Sequence, residues 1–182
     1  MDPDGKLTDK ASYTFETRKD WFIAHFGQEY AKSFVGADDF TLIYPKTFNA
    51  RFRMTIDRNG IPSVMEGGFY NTVFTKYYLE GDDPRINRYA AYLNGDQPLI
   101  ILSNKSKDID YSDKKVLVVK DSFANVVNPF LALNFEELQI MDVRHYKLAT
   151  LTQYVKKNNF DIVIFIYNPN MYASNPGMFK LK

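Results

Sequence analysis

Apolar residues follow two patterns along this chain. In the C-terminal part they come in short continuous runs. Val116-Leu117-Val118-Val119 and Ile162 to Ile166 are such runs, Glu137 to Met141 is a further strand candidate between them, and all three are too short for helices. Between them apolar residues recur at helical spacing: Phe123, Val126, Val127, Phe130 and Leu131, then Leu148, Leu151 and Val155. This predicts a βαβαβ unit from Lys114 to Tyr167. Strands alternating with helices imply right-handed crossovers, so the three strands (116–119, 137–141 and 162–166) should be parallel neighbours. Helices are expected to start near Phe123 and Lys147. Pro129 must kink or end the first of them, because it lacks an N–H.

The N-terminal half reads differently. Residues 1–14 are a loose lead-in, and one α/β domain is expected over 15–182. Phe22, Phe26, Tyr30 and Phe34 lie four apart, which predicts a helix over Glu16 to Phe34, stopping near Gly36. Phe40 to Tyr44 is a strand closed by Pro45. Phe52, Met54 and Ile56 alternate with Arg51, Arg53 and Thr55, and Asn59-Gly60 follows. That pairing predicts a hairpin with a return strand from Ile61 to Glu66. Residues 69–95 fit helix and strand equally. Pro98 to Leu102 is a buried strand, and 103–113 is a polar loop. The expected fold is therefore α/β: a Rossmann/flavodoxin-like, SGNH-type parallel sheet in the C-terminal half, with an N-terminal helix and a small antiparallel β segment.

Composition narrows the chemistry. At 182 residues and 45% hydrophobic, the chain can build a real core. Lys plus Arg number 23 against 22 for Asp plus Glu, leaving no basic stripe for nucleic acid. There is no cysteine, so disulfides and thiolate chemistry are excluded. The polar start, Met1-Asp2-Pro3-Asp4, contains no signal peptide. The two histidines, His25 and His145, are far apart and no carboxylates cluster in sequence, so neither a metal nor another cofactor is expected.

In an open parallel sheet, ligands collect beyond the carboxyl ends of the strands. Three polar segments meet there: Lys120-Asp121-Ser122, Asp142-Val143-Arg144-His145 and Tyr167 to Asn170. Ser122 stands at a strand-to-helix turn. Its hydroxyl is either a helix cap or a nucleophile beside amides that can hold an oxyanion. Asp121 is its neighbour. Asn125 lies one turn on, facing the same mouth. Asp142 and Arg144 form either a pocket-shaping pair or a solvated one. His145 is better placed than His25 to serve as a base.

The stretch VLVVKDSFANVVNPFL (116–131), followed by LQIMDVRHY (138–146), resembles the bacterial DHHW family, whose SGNH-like domain is related to alginate O-acetyltransferases. GGFYNTVFTKYY (67–78) is similar too. The resemblance implies that Ser122 is the nucleophile beside Asp121, and that Asp142 and Arg144 are the family's Asp-x-Arg. It further implies a serine esterase or O-acyltransferase acting outside the cytoplasm on acylated cell-envelope glycans. The Asp-His-His-Trp segment that would supply the base is absent, since the only Trp is Trp21 and no His-His occurs. The expected chain is thus a C-terminal fragment of a longer protein, or else a non-catalytic carbohydrate-binding or scaffolding domain of the same fold.

Overall fold

A computed structural model describes residues 2–23 and 36–169. Among the described residues, eight strands form two sheets. β1 (Tyr13–Phe22) and β2 (Asp38–Pro45) make an antiparallel ribbon. The other six, β3 (Arg51–Asp57), β4 (Pro62–Gly68), β5 (Leu99–Asn104), β6 (Ser112–Lys120), β7 (Phe135–Met141) and β8 (Ile162–Ile166), form one sheet. Their order is β4-β3-β5-β7-β6-β8. The helices are short: α1 (Phe69–Val73), α2 (Asn128–Leu131) and α3 (Leu151–Asn158).

The parallel unit is where the apolar runs put it. β6 pairs in parallel with β7 on one side and with β8 on the other. Val116 to Val119 are at most 1% exposed, as a strand covered on both faces requires. Val116 and Val118 join the larger core, whereas Leu117 and Val119 join a smaller one under α3. The antiparallel segment is not separate from it, however. β7 pairs antiparallel with β5, β5 with β3, and β3 with β4, so the sheet is mixed.

The hairpin forms at Asn59-Gly60, with φ of 54° and 94° as a two-residue turn of this type needs. Its stem bond is Arg58 N–H to the Ile61 carbonyl at 3.1 Å. Phe52, Met54 and Ile56 face the core at 0%, 1% and 1% exposure.

The expected helix over Glu16 to Phe34 is corrected over its first part. Residues up to Phe22 form β1, paired from Tyr13↔Pro45 to Arg18↔Phe40. Thr14 and Thr17 suit a strand, and the pairing with β2 overrides the weak local preference. The rest of that prediction, with Phe26, Tyr30 and Phe34, lies outside the described residues. Phe40 to Tyr44 is a strand as expected, but it pairs with β1 rather than with the hairpin.

Helix boundaries differ for identifiable reasons. After β6 the chain makes a 3-10 turn over Ser122–Asn125 and then restarts as α2, with Pro129 in its first turn where no N–H is needed. The helix expected near Lys147 starts at Leu151, because Thr150 and Gln153 form a reciprocal capping box there. The ambiguous segment 69–95 becomes α1 and two 3-10 turns, Lys76–Leu79 and Arg88–Ala91.

Leu138 is 0% exposed on β7, between β5 and β6. Truncating it to Ala should destabilise the fold by about 2–5 kcal/mol, seen as a lower denaturant midpoint with an unchanged slope.

Candidate active site at the carboxyl end of the central strands

The loops after β6, β7 and β8 lie at one end of the sheet, as parallel pairing requires. Two further loops arrive there because their strands run the other way. β5 is antiparallel to β7, so its first residue, Leu99, lies opposite Met141, the last of β7. The segment before β5 therefore reaches the site and delivers Asp96. The β3–β4 hairpin tip arrives likewise: Asn59 donates to the His145 carbonyl at 3.1 Å and accepts from the Lys147 N–H at 2.8 Å.

At the centre is Lys120, whose side chain is 0% exposed. Its ammonium donates to Asp96 at 2.8 Å and to the Asn125 carbonyl oxygen at 2.7 Å. It also lies 3.6 Å from Asp142, which is equally buried. Asn125 returns a bond from its NH2 to Asp96 at 3.0 Å. Arg144 grips Asp142 with two bonds, 2.9 and 2.6 Å, and reaches Asp96 at 3.0 Å. The Asp142–Arg144 pair is therefore part of a largely dry network, not a solvated pair on the surface. Burial pushes the Asp96 carboxyl up, but the charge and hydrogen bond of Lys120, with help from Asn125 and Arg144, hold it below its ordinary 3.8. The bonds to Asp142 push Arg144 up.

Asp96 was missed by sequence reasoning, which considered only segments following parallel strands. A signal existed: Asn94-Gly95 is a turn pair directly before an apolar strand. Leu93, Asn94 and Gly95 all have positive φ, 57°, 60° and 73°. For a buried leucine that conformation is strained, and it is held by the bond from the Leu93 N–H to the Val73 carbonyl at 2.8 Å.

Asp121 is 2% exposed and both its oxygens are engaged. One accepts from the Phe123 N–H at 3.0 Å and the other from the Asn168 N–H at 2.8 Å. It caps the 3-10 turn and ties the end of β6 to the segment after β8. The capping role considered for Ser122 thus belongs to Asp121. Ser122 is exposed, and among the described residues neither its hydroxyl nor its backbone N–H makes a hydrogen bond.

His145 is also exposed. Its ring nitrogen and the carboxylate oxygens of Asp96 and Asp142 lie within 4.8 Å of one another. The expectation that no carboxylates cluster is therefore corrected: sequence spacing does not reveal a grouping made by two separate segments, the one before β5 and the one after β7. Both carboxylates are already bonded to Lys120 or Arg144, so a cation there would have to displace a charge-assisted bond. His25 lies outside the described residues.

The arrangement resembles solved structures in its fold. Bacillus cereus PatB1 superposes with a TM-score of 0.68 at 25% identity, over 94% of this chain and 51% of that one. It has been solved with a sulfonyl adduct and, with the same score and identity, in a second structure. A DHHW family protein from Eubacterium siraeum superposes with a TM-score of 0.65 at 22% identity, over 87% of this chain and 48% of that one. The chain spans about half the length of these proteins. No family model and no curated protein matches the sequence. The likeness in fold to a DHHW family protein agrees with the resemblance read in residues 67–78, 116–131 and 138–146.

The depressed Asp96 carboxyl links stability to pH. A folded-state pKa below the unfolded value means the stabilisation is complete above about 3.8 and is lost as pH falls through the lower folded value. The stability difference between the native protein and Asp96→Asn should be constant near neutrality and shrink below about pH 4, measured by urea unfolding across pH.

Proposed function

We propose that this chain carries the nucleophile side of an SGNH-like acyl-transfer site, with Ser122 as the attacking group. The observation that carries this reading is Ser122 itself. An exposed serine with an unengaged hydroxyl and an unengaged N–H stands at the end of β6, where the Asp121 clamp and the Lys120 network fix its loop. The fold it shares with PatB1, a protein solved with a sulfonyl adduct, supports the reading. Sulfonyl reagents form such adducts with activated nucleophiles.

In this mechanism the Ser122 hydroxyl oxygen attacks an acyl ester carbonyl and passes its proton to a base. The Ser122 N–H donates to the oxyanion of the tetrahedral intermediate. Collapse expels the alcohol, which takes the proton back, and leaves an acyl-serine. A second hydroxyl, from water or an acceptor, then attacks and releases the acyl group. Asp121 holds the serine turn and Asn125 anchors it to Lys120. Arg144 and His145 line the mouth on the β7 side. The substrate class is an acylated cell-envelope glycan, encountered outside the cytoplasm.

A neutral serine is a weak nucleophile until a base takes its proton. Among the described residues none is hydrogen-bonded to the Ser122 hydroxyl, and the sequence lacks the Asp-His-His-Trp segment. We therefore place the base in a part of the protein beyond this site. The same two facts favour a second reading, a non-catalytic glycan-binding domain of the same fold.

Alone, the chain should hydrolyse 4-nitrophenyl acetate at the background rate, with Ser122→Ala no different. Hydrolysis well above background that Ser122→Ala or His145→Ala abolishes would show that the base is already present. The nucleophile is tested separately with a sulfonyl fluoride in the presence of imidazole as an external base. Intact mass should rise by one sulfonyl group in the native chain and not in Ser122→Ala. Equal labelling of both, or of neither, favours the binding domain.

A further inference from the structure

A cleft of about 180 Å³ opens at the end of the sheet opposite Ser122, and nothing in the acyl-transfer reading uses it. Three segments build it: the end of β2, residues 46–50, and the junction of β4 with α1. Strand β3 runs from this end, at Arg51, to the Ser122 end, at Asp57. Six steps along a strand separate the two ends by roughly 20 Å.

The walls are aromatic. Tyr44 and Tyr70 are half-buried and meet edge to face at 5.1 Å, above buried Phe48 and Phe69. The rings are held in place from outside the cleft. The Tyr44 hydroxyl donates to Glu16 at 3.3 Å, Tyr70 packs on Phe74 at 4.9 Å, and Phe48 packs on Tyr13 at 5.8 Å. The backbone is fixed too, by the bond from the Phe69 N–H to the Ala50 carbonyl at 2.8 Å. At the rim stand Asn49 and Asn71, both exposed, whose side-chain amides make no hydrogen bond among the described residues. Among the described residues no charged side chain lines the cleft.

We infer that this cleft binds one neutral sugar ring of a glycan chain. Tyrosine faces cover the apolar C–H face of a pyranose, and free amides offer both donors and acceptors to its hydroxyls. The lining holds no cation, and Lys6, 5.5 Å from the Phe48 ring, is already bonded to the Asp108 carbonyl, which disfavours a phosphate or carboxylate ligand. Its volume is below the roughly 300–1,000 Å³ of sites for drug-sized molecules, which suits a single ring. A second contact far from Ser122 on the same polymer would raise the local concentration of the strand at the serine without adding any contact there. The cleft stands on its own lining and survives failure of the acyl-transfer reading.

The test is an NMR titration of the chain with two uncharged probes, chitotetraose and cellotetraose. At least one should give saturable shifts at the Asn49 and Asn71 side-chain amides and at Gly68. Tyr70→Ala should weaken that binding by at least about tenfold, as removal of an aromatic anchor does. Asn71→Ala, at an exposed position that leaves the fold intact, should weaken it as well. Ser122→Ala should bind as the native chain does. The proposal is overturned if neither probe shifts these residues, if the shifts gather around Ser122 instead, or if a folded Asn71→Ala and Tyr70→Ala both bind unchanged.

Discussion

The site depends on one ammonium group that water does not reach. Lys120 ends β6; its charge is balanced by Asp96 and Asp142, and its ammonium also donates to Asn125, so that three other segments hold it. Removing an ammonium and two carboxylates from water is costly, and only tight mutual bonding offsets that cost. The network is thus better understood as a specifier of geometry than as a source of stability. Its members can be satisfied in one arrangement only, with the 94–98 segment, the Ser122 turn and the 142–147 loop all seated. Arg144 extends the same logic outward, joining Asp142 to Asp96 and closing the ring of charges.

That arrangement needs the mixed sheet. In a wholly parallel sheet the segment before β5 would lie at the far end, and Lys120 would lack its closest carboxylate. The reversal at β5 brings Asp96 alongside the carboxyl ends of β6 and β7. The strained backbone at Leu93, buried and held by Val73, sits in the turn that aims it. Asp121 does the corresponding work on the other side, joining β6 to the residues after β8. Ser122 is what remains free once its neighbours have been committed.

A second buried cation organises the 78–88 loop. Arg88 is 0% exposed, and its guanidinium donates to the carbonyls of Trp21, Tyr78, Glu80, Gly81 and Asp83. It also stacks on the Trp21 ring at 3.7 Å. Carbonyls that would otherwise be unpaired in an irregular loop are satisfied by one side chain. The β1–β2 ribbon is thereby fastened to the 78–83 loop. Desolvation pushes this arginine down without making it neutral at ordinary pH.

The sequence alone determined the parallel triplet, the hairpin and the place where the loops converge. Each of these rests on local information: an apolar run with both faces covered, an Asn-Gly pair that accepts positive φ, and polar residues directly after strands. It also singled out Ser122, Asp121, Asn125, Asp142, Arg144 and His145 as neighbours, since all follow strands of one parallel unit. Only the tertiary structure decided that Tyr13–Phe22 is a strand, because its partner β2 lies beyond the helical spacing that suggested otherwise. The same is true of Asp96. Its role depends on the direction in which β5 pairs, which is a long-range choice that no local pattern records. Burial then fixed the pairing of the cluster: a lysine and two aspartates scattered over residues 96–142 become one charge network only when the chain folds them together.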